Sequence, residues 1–559
     1  MGMSYLEGPA LESDPDILAW TTPAFLRAVC ARYAEREAVA FVHPRDTVRW
    51  TYAELWDRTE DVARALVAAG VGKGTRVGVL MSNRPELIAA IFASGLVGAV
   101  AVPITTFATA DELEYMLGLA GVSHLLLERR VAKKDFADMM RAIVPEASLS
   151  APMPLTSVRL PHLRRLIAVD LEGEDGAIEG WSRFLAAGQT ISAELVAAMT
   201  ESVSPGDLAT ILFSSGSTSR PKGVLSNHKA VAIQLCRWPR LYGLSGELRS
   251  WCANGYFWSG PFAMVLGGTL WSGGTLVMQS VFDPAAALAL MEAERITFPS
   301  AMPHQWAQME QSPAWENADL SSLRYVDTTP AAGRHPTVAT DWVQPTALYG
   351  GTEMFTVAVA FFGIDTPADE VAGSSGRPLP GNRIKIVDPE SGEILPRGER
   401  GEIALNGPTR LCGYAGVSSD DTLDADGYYR SGDGGYIDDR DRLFWEGRIA
   451  EVIKSGGANV SPLEIDVVLG THPAVKLCKT VGVPDPLLGE IVVSCVVPRE
   501  AAQFDEAAVR AHVAERLASY KVPRRIVLLR EDELPLTSTA KIKANELRDI
   551  AARRIAEIV

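Results

Sequence analysis

Helical and strand patterns alternate along this chain, and the alternation limits the folds that the chain can adopt. Thr51 and Glu54 form a capping box at the start of a helix that ends before Gly70. The apolar run Val77 to Met81 follows as a buried strand, and Pro85 lies where a first helical turn tolerates proline. Such βα alternation predicts parallel sheets that are covered by helices.

The length of the chain predicts more than one domain. Its 559 residues exceed the size at which a single hydrophobic core stops growing. A hydrophobic content of 47% with 22% charged residues is typical of soluble globular proteins. The longest apolar run, Leu87 to Val102, contains Gly95 and Gly98 and stops at Pro103, so we expect a buried helix that leads into a buried strand and no membrane insertion.

Charge and cysteine usage exclude several classes of partner. The net charge of −16 argues against nucleic acids and anionic membranes as partners. Six cysteines without a CxxC pair indicate reduced thiols, with neither a zinc site nor a disulfide framework. The N-terminal residues are acidic where a signal peptide would be basic and then apolar, and we therefore expect a cytoplasmic location.

A loop rich in small and hydroxyl residues, SSGSTSRPKG, runs from Ser214 to Gly223. It follows the apolar run Leu208 to Phe213 and contains Lys222, so backbone N–H groups, hydroxyls and one cation can face a polyphosphate together. It is not a Walker A loop, because Pro221 precedes the lysine and glycine follows it. By itself the pattern fits a phosphate loop and a solvated hinge equally well.

Three further segments decide between these interpretations. ALYGGTEM contains Glu353, and YYRSGDGGYID contains Asp433 and leads into EGRIAEVIKSGGANVSPLEID with Lys454. LPLTSTAKIKANELR, near the end, contains Lys541. With the serine-rich loop, these segments resemble the adenylate-forming superfamily of acyl-CoA synthetases, peptide-synthetase adenylation domains and firefly-type luciferases, and acyl-CoA ligases most closely. The resemblance extends from about Thr51 to Arg548.

The resemblance implies an α/β fold with a large N-terminal domain of helix-covered β-sheets and a small, mobile C-terminal α+β lid domain. We expect the large domain, with the ATP and acyl sites, over residues 1–447, a hinge over 448–452 around Ala450, and the lid over 453–559. The implied reaction joins a carboxylic acid to AMP with release of pyrophosphate, after which a thiol attacks the acyl-AMP. The implied cofactors are ATP (or acyl-AMP), Mg²⁺ and coenzyme A.

For the ATP-dependent step, the resemblance assigns a role to each segment. Lys541 is expected to contact the α-phosphate and the substrate carboxylate, and Glu353 to bind Mg²⁺ with Thr218 as a second oxygen donor. Asp433 is expected to accept hydrogen bonds from the ribose hydroxyls. Taken singly, each of these would be an ordinary surface or turn residue. The other predicted nucleotide-binding residues are Ser214, Ser215, Gly216, Ser217, Lys222, Tyr349 (stacked on adenine), Gly350, Thr352 and Arg448.

The thiol-dependent step is assigned to a different segment. Lys454 is expected to face the acyl-adenylate, and Gly456 and Gly457 to let the pantetheine arm pass close to the backbone. Lys476 and Lys479 are weaker candidates for the CoA phosphates. The predicted acyl-pocket residues are Tyr256, Phe257, Trp258 and Gly351. Because Tyr256 to Trp258 contains rings and no aspartate, the sequence favours an apolar acid, although a buried tryptophan is more often a core residue.

Four positions depart from the family pattern, and three of them touch the ATP-dependent half. Ser219 and Ala540 replace usual glycines, and TTPAAG at 328–333 replaces a glycine-rich stretch beside adenine. Ala450 stands at the hinge where Asp or Lys is usual. The thiol-side segment is intact. We therefore expect an acyl-CoA ligase and keep open a chain that mainly performs thioesterification of an acyl-adenylate supplied by a partner enzyme.

Other functions remain open from the sequence. A stand-alone adenylation enzyme that loads a carrier protein, an acyl-AMP ligase and a luciferase-like oxygenase share these motifs. A catalytically silent acyl- or nucleotide-binding homologue is the alternative from another class, and retention of Lys541, Lys454 and Glu353 argues against it. A serine hydrolase or a zinc protease is disfavoured, since neither GxSxG nor HExxH occurs.

Overall fold

The structure is a computed structural model of the chain. It describes residues 2–14, 17, 20–43, 46–148, 154–214, 221–326, 331–345, 348–361, 366, 368–418, 422–455, 458–486, 488–499, 504–517, 521–536 and 542–557. No helix in these ranges is long and apolar enough to cross a bilayer.

The α-helices are α1 Thr22–Arg32, α2 Tyr52–Ala68, α3 Pro85–Leu96, α4 Ala110–Ala120, α5 Phe136–Ile143, α6 Trp181–Gly188, α7 Ala193–Glu201, α8 His228–Leu241, α9 Gly268–Trp271, α10 Pro284–Ala293, α11 Pro303–Glu310, α12 Ala368–Val371, α13 Pro462–Gly470, α14 Glu506–Ala514 and α15 Ala544–Ala556. A π-helix, Pro261–Gly267, leads directly into α9.

The strands are β1 Tyr5–Glu7, β2 Glu37–His43, β3 Asp46–Thr51, β4 Arg76–Leu80, β5 Val100–Pro103, β6 His124–Leu127, β7 Arg130–Val131, β8 Lys134–Asp135, β9 Arg165–Ala168, β10 Glu174–Asp175, β11 Ile178–Gly180, β12 Leu208–Ser214, β13 Lys222–Asn227, β14 Arg249–Cys252, β15 Thr275–Met278 and β16 Phe298–Ser300. They continue with β17 Leu348–Tyr349, β18 Val359–Ala360, β19 Arg377–Pro378, β20 Arg383–Val387, β21 Gly401–Asn406, β22 Gly413–Tyr414, β23 Tyr429–Ile437, β24 Leu443–Arg448, β25 Ile453–Ser455, β26 Ala458–Val460, β27 Val475–Asp485, β28 Gly489–Pro498 and β29 Arg525–Leu528.

The chain divides into two compact units. The larger unit comprises Glu7–Arg383 and Asn406–Tyr429, and the smaller unit comprises Met1–Leu6, Ile384–Leu405 and Arg430–Val559. The α/β fold class with a large domain and a smaller C-terminal domain is confirmed. The predicted large domain over residues 1–447, the hinge over 448–452 and the mobile lid over 453–559 stay a prediction.

The main sheet of the larger unit has the strand order β10-β11-β9-β6-β4-β5-β12-β13-β22. Strands β9, β6, β4, β5 and β12 run parallel, whereas β13 and β22 are antiparallel to their neighbours. The pleat sends alternate side chains to opposite faces. Val77 and Val79 pack with α2 and α3 on one face, and Leu80 packs with α4 and α5 on the other. The predicted helix-covered parallel sheet is therefore confirmed.

The local signals behind this sheet are also confirmed. Thr51 caps α2, and the side chain of Glu54 accepts a hydrogen bond from the Thr51 N–H in return. Pro85 occupies the first turn of α3, whose residues are almost all buried, and α3 leads into β5. A second sheet of the larger unit has the order β16-β14-β15-β2-β3, and a third joins β17, β18 and β19.

The smaller unit contains two sheets. One has the order β1-β20-β21-β23-β24, and the other has the order β26-β25-β28-β27 with β29 beside β28. Side chains of β28 alternate between two cores: Val492 and Val496 pack with α13 and α14, whereas Val493 and Val497 pack with α15. This is the expected α+β architecture of the C-terminal part.

Candidate functional site

An antiparallel strand pair frames the predicted phosphate loop. Strands β12 and β13 are in register with Ser214 opposite Lys222 and Phe213 opposite Gly223. A Cβ at Gly223 would lie 3.1 Å from the Cβ of Ala415, so glycine permits the close packing of the next segment. The loop residues Ser215, Gly216, Ser217, Thr218 and Ser219 lie outside the described residues.

A short segment, residues 411–415, joins this strand pair to the predicted metal ligand. Its strand β22 pairs with β13, with Tyr414 opposite Val224. The Leu411 N–H donates to the backbone oxygen of Glu353 at 2.7 Å. The segment therefore holds Lys222, at the start of β13, and Glu353 in one hydrogen-bonded assembly.

Tyr414 contacts both of these charged residues. Its hydroxyl donates to Oε1 of Glu353 at 3.0 Å and lies 3.3 Å from the hydroxyl of Tyr429. The Nζ of Lys222 lies 5.2 Å from the centroid of the Tyr414 ring. Burial, and then the neighbouring Glu353 carboxylate, raise the pKa of Tyr414 well above its ordinary value, so the phenol is a neutral donor. Neither tyrosine was predicted from the sequence: Tyr429 lies in the YYRSGDGGYID segment but was given no role there, and the contact of Tyr414 with Glu353 arises only from the fold.

The turn that carries Glu353 is tightly closed. Thr352–Met354 forms a 3₁₀ turn, and the Thr356 N–H donates to the backbone oxygen of Gly351 at 2.9 Å. A Cβ at Gly350 would lie 2.2 Å from the backbone oxygen of Thr356. Phe355 and Thr356 have φ values of 46° and 116°, which L-residues other than glycine rarely adopt. Strained backbone of this kind concentrates at functional sites.

Tyr349 precedes this turn on β17. It pairs with Val359 of β18 and is 6% exposed. Its predicted stacking on adenine stays a prediction, as does the contact of Thr352 with phosphate.

The residues around Glu353 can bind Mg²⁺ only if the protein supplies few of the metal's ligands. The described residues contain no group of three His, Cys, Asp or Glu side chains that can hold a metal ion. Glu353 is half-buried, and within the described ranges it has no ion-pair partner, so its carboxylate is available to a cation. Mg²⁺ in nucleotide sites is commonly bound by one or two carboxylates plus phosphates and waters, and a single Glu353 suits that arrangement.

The predicted acyl residues form part of an aromatic cluster. Tyr256 is fully buried, Phe257 is 3% exposed, and the rings of Phe257 and Trp258 meet edge to face at 4.9 Å. Phe107, which the sequence analysis missed, stacks on Trp258 with centroids 5.8 Å apart and is 52% exposed. The Nζ of Lys134 donates to the backbone oxygens of Phe107 and Ala108 and fixes the Phe107 loop.

This cluster is connected to the Glu353 turn. The hydroxyls of Ser259 and Thr352 lie 3.4 Å apart, and the Thr356 hydroxyl donates to the backbone oxygen of Ser259 at 3.3 Å. A Cβ at Gly255 would lie 2.1 Å from the Phe257 ring, so glycine is what allows that ring to fold back. The structure thus brings Trp258 and its neighbours to the same turn as Glu353.

In the smaller unit, Asp433 and Arg448 lie opposite each other on β23 and β24. The Nε of Arg448 is 3.0 Å from Oδ1 of Asp433, and the guanidinium also donates to the backbone oxygen of Ser431 at 2.6 Å. Asp433 is 8% exposed, whereas the Arg448 side chain is about half exposed. The predicted ribose contact Asp433 and the predicted nucleotide-binding residue Arg448 are therefore neighbours, and their roles stay a prediction.

Lys454 has an exposed side chain on β25. Its N–H donates to Oε2 of Glu490 at 2.8 Å, and Glu490 also pairs with Arg548 at 3.3 Å, so the backbone of Lys454 is anchored while its ammonium group is exposed. Gly456, Gly457, Ala540 and Lys541 lie outside the described residues. Ala450 lies in the 3₁₀ turn Ile449–Glu451, between β24 and β25.

The two lysines considered for CoA phosphates are paired with carboxylates. Lys476 contacts Glu531 at 2.6 Å, and Lys479 contacts both Glu451 and Asp466 at 3.4 Å. Burial raises the pKa of the Asp466 carboxyl to about 6, against the opposing effect of Lys479. Both lysines therefore have carboxylate partners within the smaller unit, and their contact with CoA phosphates stays a prediction.

Comparison with known proteins gives concordant results. The chain matches the family model of AMP-binding enzymes over residues 26–415 and the model of the AMP-binding enzyme C-terminal domain over residues 464–541. It is 32% identical over 507 residues to a feruloyl-CoA synthase of Amycolatopsis sp, covering 89% of this chain and 93% of that protein. It is 30% identical over 512 residues to an indoleacetate–CoA ligase of Aromatoleum aromaticum, covering 90% and 94%.

Solved structures share the fold. The anthranilate CoA ligase AuaEII in complex with anthranoyl-AMP has a TM-score of 0.77 at 23% identity and covers 96% of this chain and 98% of its own. ATP-bound MatB from Rhodopseudomonas palustris has a TM-score of 0.73 at 24% identity, with coverage of 95% and 99%.

Proposed function

Because the chain belongs to the AMP-binding family of adenylate-forming enzymes, we propose that it converts an apolar carboxylic acid, by way of an acyl-AMP, into an acyl-CoA thioester. The enzyme is an acyl-CoA ligase, as are its relatives at 30% identity or more over nine-tenths of the chain. Enzymes of this kind use ATP and CoA. The acid, the metal and the assignment of single residues are the proposed part.

The observation that carries the proposal is the assembly beside the phosphate loop. Lys222 and Glu353, which have no ion-pair partner among the residues that the structure describes, both contact Tyr414 next to the strands that frame the loop. A carboxylic acid attacks the α-phosphorus of ATP, and negative charge then grows on the α-phosphoryl group and on pyrophosphate. Fixed positive charge is the stabiliser that this step requires.

We assign each predicted nucleotide-site residue a task in that step. Lys222 contacts the terminal phosphates, and Lys541 contacts the α-phosphate and the substrate carboxylate. Glu353 holds Mg²⁺, which when bound neutralises phosphate charge and orients the leaving group. Asp433 accepts hydrogen bonds from the ribose hydroxyls. Its buried carboxylate lies opposite Arg448 in the register of β23 and β24.

The aromatic cluster supports an apolar acid. Phe107, Phe257 and Trp258 offer ring faces and edges, and the segment Tyr256 to Trp258 contains no charged residue. The contact between Ser259 and Thr352 places this cluster next to the turn of Glu353. Two relatives, the feruloyl-CoA synthase and the indoleacetate–CoA ligase, are named for acids that carry a planar ring.

The second step transfers the acyl group from AMP to the sulfur of CoA. The CoA thiol loses its proton, its sulfur attacks the acyl carbon, and AMP leaves with the electron pair of the broken bond. Lys454, whose ammonium group is exposed above an anchored strand, is assigned to this step with Gly456 and Gly457.

A second candidate function is thioesterification with a slow adenylation half. It is favoured by Ser219 and Ala540, which place a Cβ where the family uses glycine next to phosphate and to the adenylating lysine. In that case a separate adenylating enzyme supplies the acyl-adenylate. Ser219→Gly combined with Ala540→Gly then raises acid-dependent pyrophosphate release well above the wild-type rate.

The test supplies the two half-reactions separately. In one arm, the enzyme receives a panel of aromatic and aliphatic acids with ATP, Mg²⁺ and CoA, and AMP, pyrophosphate and thioester are quantified. In the other arm, it receives synthetic acyl-adenylates and CoA. Thioester in both arms supports the complete ligase, and thioester in the second arm alone supports the slow-adenylation candidate. Acyl transfer to a phosphopantetheinylated carrier protein, with no acyl-CoA in either arm, refutes both.

A further inference from the structure

Tyr414 touches two opposite charges with two different parts of its side chain. Its hydroxyl donates to Oε1 of Glu353 at 3.0 Å, and the face of its ring lies 5.2 Å from Nζ of Lys222. A phenol hydrogen bond to a carboxylate and an ammonium group over an aromatic ring are both favourable contacts. One tyrosine therefore binds the cation of the phosphate loop and the carboxylate of the Glu353 turn at once.

Lys222 and Glu353 do not pair with each other, although both contact the same residue. In the part of the chain that the structure describes, neither side chain has an ion-pair partner. An ion pair between them would cancel the two charges that a metal–nucleotide complex needs, since the phosphates require the ammonium group and the metal requires the carboxylate.

Backbone hydrogen bonds tie the segment of Tyr414 to the segments that carry both residues. Strand β22 is hydrogen-bonded to β13, with Tyr414 opposite Val224, and Lys222 is the first residue of β13. At the other end of the segment, the Leu411 N–H holds the backbone of Glu353 at 2.7 Å. The Tyr414 side chain therefore contacts two residues that lie on segments hydrogen-bonded to its own.

We propose that Tyr414 is a positioning residue that holds Lys222 and Glu353 apart, so that the first stays available to the phosphates and the second to the metal of Mg²⁺·ATP. The inference rests on the proposed function for the identity of the nucleotide. It is based on two contacts of Tyr414, the hydroxyl with Glu353 and the ring with Lys222, and two substitutions test them separately. Tyr414→Phe keeps the ring and removes the hydroxyl, whereas Tyr414→Leu also removes the ring and lets Lys222 reach Glu353.

The experiment measures nucleotide binding and both half-reactions with the full-length protein. Calorimetry gives the affinity for Mg²⁺·ATP in the absence of acid, and pyrophosphate release gives the adenylation rate. Tyr414→Phe is expected to weaken Mg²⁺·ATP binding and adenylation efficiency by about tenfold to a hundredfold, the range of a hydrogen bond to a charged group. Tyr414→Leu is expected to weaken both Mg²⁺·ATP binding and adenylation further than Tyr414→Phe does. Thioester formation from a synthetic acyl-adenylate is expected to stay within twofold for both variants.

Two controls distinguish positioning from a general loss of structure. Tyr325→Phe removes a hydroxyl that bonds to the backbone of Ser245 and to none of these residues, and it is expected to behave like the wild type. In a Glu353→Gln background, Tyr414→Phe is expected to cause little further loss, because the hydroxyl then has no carboxylate to hold.

Failure of this inference and failure of the proposed function give different results. Wild-type affinity for Mg²⁺·ATP in both Tyr414 variants overturns the inference, as does an equal loss of both half-reactions. A wild-type enzyme that binds Mg²⁺·ATP but activates no acid refutes the proposed function, and weaker binding by Tyr414→Phe then still supports the inference. A wild-type enzyme that does not bind Mg²⁺·ATP refutes both.

Discussion

Gly350 is the position where one added carbon tests the geometry of the Glu353 turn most directly. A Cβ at Gly350 would lie 2.2 Å from the backbone oxygen of Thr356 and 2.8 Å from Cα of Val357. Nonbonded heavy atoms are most favourable near about 3.5 Å, so Gly350→Ala requires β17 or the facing turn to move by about 1 Å. The three nearest atoms are all backbone atoms of residues 356–358, which cannot rotate away as a side chain can.

The size of the effect follows from this overlap. Overpacking of a closed site costs about 1–3 kcal/mol of stability, and a displacement of about 1 Å near the reacting groups costs about 10²-fold in rate. Gly350→Ala is therefore expected to lower the free energy of unfolding by about 1–3 kcal/mol. It is also expected to slow pyrophosphate release by about 10²-fold, because Glu353 lies in the same turn.

The assay combines urea unfolding with acid-dependent pyrophosphate release. Gly72→Ala is the matched control, since a Cβ there has nothing within 4 Å, and it is expected to leave both quantities at wild-type values. If Gly350→Ala unfolds within about 0.5 kcal/mol of the wild type and releases pyrophosphate at the same rate, the turn is not closed as described.

Other substitutions give separate tests. Lys541→Ala is expected to reduce adenylation by about 10²-fold or more and to spare thioester formation from a synthetic acyl-adenylate, and Lys454→Ala to do the reverse; equal loss of both steps in each variant would contradict the assignment. Burial raises the pKa of Asp466 to about 6, so the wild type loses stability as the pH rises from about 4 through 6. Over that pH range, the free energy of unfolding of Asp466→Asn is expected to rise by up to about 3 kcal/mol relative to that of the wild type. A difference in urea unfolding that does not change with pH would refute this. Phe107→Ala is expected to lower kcat/KM for ring-bearing acids by up to about tenfold and to spare short aliphatic acids, and an equal change for both classes would argue against Phe107 in the acyl site.

Local sequence signals were sufficient for the main sheet. The capping box at Thr51 and Glu54 and Pro85 at a helix start each specify a helix through contacts between near neighbours, and the mostly apolar run from Leu87 to Val102 specifies a buried helix and the strand after it. The parallel arrangement follows, because strands joined through helices return in the same direction.

Contacts between distant segments could not be predicted in this way. Strand β1, at the N-terminus, joins a sheet with β20, β21, β23 and β24, and no periodicity in Tyr5–Glu7 indicates that partner. Tyr414 is a similar case. It lies 61 residues from Glu353 in sequence, and its function arises only because β22 adds to β13. The motifs could identify the charged residues, whereas the residue between them depends on tertiary packing.

The central claim is that one chain both activates an acid and transfers it to CoA. The most direct measurement incubates the full-length protein with a ring-bearing apolar acid, ATP, Mg²⁺ and CoA, and quantifies acyl-CoA, AMP and pyrophosphate by mass spectrometry. We expect the three products in equal amounts, each dependent on the acid. AMP and pyrophosphate that accumulate without acyl-CoA would contradict the claim.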